Sequence, residues 1–90
     1  MISSFTDMVS CALADLPEGN TGLLDEFQLS LPIAEHLMNL GFVPGVEVTA
    51  ARSGPSGDPR IYRVDGTEVA IRSDLARRIF VRRVLGKMEA

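Results

Sequence analysis

The chain has no tryptophan, one cysteine, one histidine and, in its first 51 residues, neither lysine nor arginine. Each scarcity removes a class of function. A lone Cys11 cannot close an internal disulfide and has no Cys or His partner at metal-ligand spacing, so it reads as a small apolar residue. With His36 as the single histidine, hydrolase, Cys–His and zinc constellations lack the partners they require, and a general base needs a second group to orient it. No Gly-rich, Lys-ending phosphate loop occurs: the glycines between Gly54 and Pro59 lack both the lysine and the strand-to-helix setting. Asp25 and Glu26, adjacent on a strand, would point to opposite faces and read as solvated charges. No catalytic residue, cofactor or metal ligand is therefore expected. No apolar run approaches the roughly 18 residues of a membrane span, and residues 1–11 lack the basic start and apolar core of a secretory signal. A cytoplasmic location follows as the expectation.

What the chain does have is the composition of a folding domain, 46% apolar and 23% charged over 90 residues. That length supports one core, so a single domain over 1–90 is expected, ordered from about 12 to 84, with the first several residues and the tail from Gly86 loosely held. A core this small, unaided by disulfide or metal, favours burial of more surface against a second copy or a larger partner. The charge is segregated: residues 1–51 hold seven acids and no base, and residues 52–90 hold nine bases and five acids, leaving −7 and +4. Either the fold has an acidic and a basic face, or its two halves interleave and the charges mix. A nucleic-acid role would use Arg77, Arg78, Arg82 and Arg83. The net charge of −3 and the five aromatic residues, without a stacking array, favour a solvated arginine face instead, and no nucleic-acid partner is expected.

The pattern is mainly β. Thr21–Phe27 alternates imperfectly as a strand; Ser30 and Pro32 supply helix-start chemistry; and a helix over 32–40 places Ile33, Leu37 and Leu40 at i, i+4 and i+7, with Ala34, Met38 and Phe42 nearby. That face should lie on the sheet, with Glu35, His36 and Asn39 outward. Gly41 ends the helix and Pro44 prevents its resumption. Val46, Val48 and Ala50 alternate inward on the next strand, and the loop Gly54-Pro55-Ser56-Gly57-Asp58-Pro59 is stiffened by its own prolines. Arg60–Val64 and Thr67–Arg72 form a hairpin across Asp65-Gly66; Ser73 begins a single helical turn; and a strand from Ile79 to Val84 closes the sheet with Ile79 and Val81 inward. Met8–Leu16 is weakly patterned. The expected fold is a small β-barrel of about five strands, with one short α-helix inserted after the first strand.

Leu40-Gly41-Phe42-Val43-Pro44-Gly45, then Gly57-Asp58-Pro59, then Val69-Ala70-Ile71-Arg72 occur in order at a spacing that resembles the FeoA family, small SH3-like barrels of bacterial ferrous-iron uptake. The resemblance covers roughly residues 12–84. The same barrel occurs at the C-terminus of DtxR-type metal-dependent repressors, so a metal-sensing or regulatory module, or a small-barrel nucleic-acid module, stands as an alternative; a complete repressor is not expected, since no winged-helix region precedes the barrel. The resemblance implies a non-enzymatic cytoplasmic adaptor that binds FeoB, the membrane permease carrying a GTPase domain, and reaches the inner membrane only through that partner. In the family the loop usually carries an apolar residue where Ser56 stands, and a hydrophobic residue is common at Arg60. Ile61 and Phe80 occupy positions that are commonly polar and outward, and paired outward apolar side chains can mark a contact surface. The candidate partner-binding residues are therefore Glu35, His36, Asn39, Ser56, Asp58, Arg60, Ile61 and Phe80.

Overall fold

The computed structural model describes residues 7–85; the expectations for residues 1–6 and 86–90 lie outside it. The elements run β1 (Asp7–Ala12), a 3-10 turn (Leu13–Asp15), β2 (Thr21–Phe27), α1 (Leu31–Asn39), β3 (Glu47–Ser53), β4 (Arg60–Val64), β5 (Thr67–Ile71), α2 (Ser73–Ala76) and β6 (Ile79–Leu85). The strands form one antiparallel sheet in the order β1-β6-β2-β3-β4-β5. The mainly β SH3-like architecture is as expected. Its sixth strand is β1, which lies in the weakly patterned stretch and is held by pairing residue for residue with β6, so the helix follows the second strand rather than the first.

Alternation along the strands fails in two places for one reason. A bulge between Leu24 and Glu26 shifts the register of β2 against β6, so Glu26 turns outward while Phe27 packs partly on the core. A second, between Ala50 and Arg52, does the same to β3 against β4. The curled sheet encloses Leu13, Leu16, Leu24, Val48, Tyr62, Val64, Ile71, Ile79 and Val81, with Leu37 and Phe42 closing it from the α1 side. At about 1.5–3 kcal/mol for each large side chain, this burial is the main force opposing chain entropy.

The two chain halves interleave. β6, from the basic half, lies between β1 and β2 from the acidic half, and Arg82 Nε comes within 3.6 Å of Asp25 Oδ2. The charges therefore mix instead of dividing the barrel into an acidic and a basic face.

α1 ends as its sequence directs. Phe42 N donates to Leu37 O at 3.0 Å and Gly41 N to Met38 O at 3.0 Å, with Gly41 at φ 103°, the paired bonds of a Schellman stop in which Leu37 and Phe42 are both buried. Its start differs from expectation: the Ser30 side chain makes no cap bond, and proline in the first turn does the work of starting the helix. The buried stripe differs too. Only Ala34 and Leu37 are buried, with Met38 half-buried, whereas Ile33 and Leu40 are 39% and 41% exposed. Ile33 and Leu40 share a flank about 100° around the helix from Ala34, so they border the contact instead of making it.

Candidate functional site

Two regions hold the eight residues singled out by sequence. The first is the β3–β4 loop and the strand it leads into. Gly57 N donates to Gly54 O at 2.9 Å, closing a turn with Pro55 at its second position, and Gly54 N donates to Pro59 O at 2.8 Å across the loop neck. Any side chain on Gly54 would bring its Cβ to 2.9 Å from Asp58 O, so only glycine fits there. The Asp58–Pro59 peptide is cis.

Asp58 and Arg60 both have partners within the molecule, Asp58 while still exposed and Arg60 while half-buried. Asp58 Oδ1 accepts from Ser73 N at 2.9 Å, so the carboxylate that caps α2 comes from the loop and not from Ser73 itself. Arg60, half-buried, donates from Nη1 to Ala14 O and from Nη2 to Leu16 O at 2.9 Å, and its guanidinium carbon lies 5.6 Å from the centre of the Tyr62 ring. Tyr62 Oη donates to Leu13 O at 3.1 Å. Burial raises the Tyr62 pKa, which keeps the phenol a neutral donor, although the Arg60 charge pulls the other way. Three carbonyls of the segment 13–16 are thus bonded by two side chains of β4, and the sheet is closed across its open side. Ser56, at the loop tip, is exposed.

Ile61 and Phe80 are both half-buried, and their strands are separated in the sheet by β2 and β3, so the sheet does not set them side by side. Ile61 lies opposite Ala70 and Arg52; Phe80 lies opposite Ala12 and Glu26.

The second region is α1. Glu35, His36 and Asn39 are exposed on it, as are Leu31 at 67%, Ile33 and Leu40, so two buried residues of nine fasten the helix to the sheet. Beside it, Gln28 N donates to Arg78 O at 2.7 Å and joins the entry of α1 to the exit of α2. Above that junction is a cavity of about 400 Å³ lined by Leu29, Ser30, Ile33, Asp74, Leu75 and Arg78. Sequence reasoning missed this groove. Its walls come from segments more than 40 residues apart, and the available signal was an apolar Ile33 that the helix stripe did not need.

On the opposite strands, Glu68 bridges Arg52 at 2.7 Å and Arg63 at 3.1 Å on the solvent face; hydrogen bonds from the two guanidinium groups lower its pKa from 4.5 to about 2. Burial raises the Cys11 thiol above its ordinary value, with Arg83 opposing, which suits a packing residue better than a nucleophile. Among the described residues no three His, Cys, Asp or Glu side chains are grouped to hold a metal ion, and no helix is long and apolar enough to cross a membrane.

The comparisons agree with this architecture. The family model "FeoA domain" matches residues 11–83. The solution structure of FeoA from Chlorobium tepidum has 26% sequence identity and a TM-score of 0.77, covering 87% of this chain and 73% of that one. FeoA from Stenotrophomonas maltophilia, crystallised with zinc and described as a procaryotic SH3 domain protein possibly acting as a ferrous iron transport activating factor, has 35% identity and a TM-score of 0.69, covering 78% and 87%. A manganese-dependent transcriptional repressor, at 15% identity and TM-score 0.71 over 80% of this chain and 40% of its own, shares the fold alone. No curated protein sequence matches significantly. With its SH3-like sheet and a family match over most of its length, the chain belongs to the FeoA family, which is linked to ferrous iron transport.

Proposed function

We propose that this protein is a non-enzymatic accessory of bacterial ferrous-iron uptake that works in the cytoplasm by binding a FeoB-type permease and its GTPase domain. One observation carries the reading: in a chain of the FeoA family, α1 fully buries only Ala34 and Leu37 and leaves Leu31, Ile33 and Leu40 exposed beside Glu35, His36 and Asn39. Apolar side chains interspersed with polar ones on a firmly ended helix are the makings of a protein contact. Iron is then handled by the partner, and membrane association is indirect, through it. Glu35, His36 and Asn39 are the polar contacts of this surface. Ser56, at the tip of a stiff loop, is a secondary contact.

Co-purification with the cognate FeoB-like permease in detergent, with and without guanine nucleotide, tests the reading. Stoichiometric retention is expected. A permease that elutes wholly separate in both nucleotide conditions would refute it.

A further inference from the structure

The groove between α1 and α2 has a chemistry more specific than an apolar surface. Leu29 and Leu75 form its floor, both half-buried and packed against the core. Ile33 forms one wall with its side chain part exposed, and the Gln28 N to Arg78 O bond ties the two sides together. The groove's volume of about 400 Å³ is ample for an aliphatic side chain.

Charge at its rim is unbalanced. Asp74 Oδ1 lies 3.6 Å from Arg72 Nε, so the one carboxylate lining the groove already has a cation beside it. Arg78 on the rim and its neighbour Arg77 are exposed and form no ion pair among the described residues. An apolar floor beside a free guanidinium complements an aliphatic side chain followed closely by a carboxylate.

We infer that the α1–α2 groove is a recognition site for an acidic, leucine-type segment of a protein partner: an aliphatic side chain enters between Ile33, Leu29 and Leu75, and an adjacent Asp or Glu pairs with Arg78. In assigning that segment to the permease, the inference rests on the adaptor reading given above; the groove chemistry stands on its own.

The test titrates the isotope-labelled full chain with a short synthetic peptide centred on Leu-Asp-Asp-Leu, and with the same peptide carrying Lys in place of both Asp. The acidic peptide is expected to shift the amide signals of Leu29, Ile33, Leu75 and Arg78, with the effect weakened by salt. Arg78→Glu should weaken its binding by roughly fivefold or more, the scale of an exposed charge pair. Ile33→Glu should abolish it, and Arg78→Glu, at an exposed position, keeps the test readable if Ile33→Glu unfolds. Equal binding of both peptides, or shifts confined to another face, would overturn the inference. Run in parallel, loss of permease retention by Arg78→Glu supports the groove as the docking point. Retention unchanged in both variants overturns the groove as the permease's docking point while leaving the adaptor intact. Peptide shifts in the groove without any permease retention uphold the groove and refute the adaptor.

Discussion

The β4 side of the barrel and the α1 side solve opposite problems. On the β4 side polar side chains are used within the molecule: Arg60 and Tyr62 bond the carbonyls of Leu13, Ala14 and Leu16, and the exposed Asp58 caps α2. On the α1 side nine helical residues supply two buried ones, and the apolar Leu31, Ile33 and Leu40 are left in water. A small domain gains stability by closing on itself and gains partners by leaving something open. Here the two tasks are assigned to different ends, so substitutions should separate them cleanly.

The largest effect is expected from breaking the closed side. Arg60→Ala leaves Ala14 O and Leu16 O without their charged donor and removes the cation from the Tyr62 ring, so urea unfolding should show a loss of about 2–4 kcal/mol. Gly54→Ala comes next, at roughly 1–3 kcal/mol, since the new Cβ meets backbone at 2.9 Å and the loop neck must shift. Asp58→Ala should cost about 1 kcal/mol through the lost cap, with amide exchange at Ser73 accelerated. On the open side, Ile33→Ser should cost no more than about 1 kcal/mol of stability, yet reduce retention of the permease.

The smallest effect tests the surface triad. Glu68 has its folded-state pKa lowered to about 2 from 4.5, so its contribution is fully present above pH 4.5 and is lost as pH falls through about 2. Because the carboxylate and both arginines are exposed, screening keeps that contribution small. Stability of Glu68→Gln should therefore converge with that of the native chain toward pH 2, and differ from it only slightly above pH 4.5.

Much of the fold was legible because its signals are local. The Gly41 helix stop, the Asp65-Gly66 hairpin turn with φ values of 51° and 80°, and the inward set Val48, Ala50, Ile79 and Val81 each follow from a few consecutive residues. β1 was not legible, because Asp7–Ala12 lacks alternation and owes its strand form to pairing with β6, some 70 residues away. The bulges were hidden for the same reason: a register shift belongs to two strands, not to one.

The candidate residues divide along the same line. Glu35, His36 and Asn39 point outward because a helix wheel fixes relative direction, and Ser56 lies at the tip of its turn. The internal hydrogen bonds of the exposed Asp58 and the half-buried Arg60 were not legible, because their partners, Ser73 N and the carbonyls of Ala14 and Leu16, are brought to them only by the closed sheet. Nor could the pairing of Ile61 with Phe80 be judged before the strand order was known, since two strands intervene. The α1–α2 groove needed the three-dimensional junction of Gln28 with Arg78.

The division of labour between the two ends is tested most directly by a paired co-purification with the cognate permease, using Ile33→Glu on the open side and Ser56→Glu at the tip of the closed side, each first checked for native unfolding behaviour. The account requires Ile33→Glu to lose the permease and Ser56→Glu to keep most of it. Retention by Ile33→Glu together with loss by Ser56→Glu would contradict it.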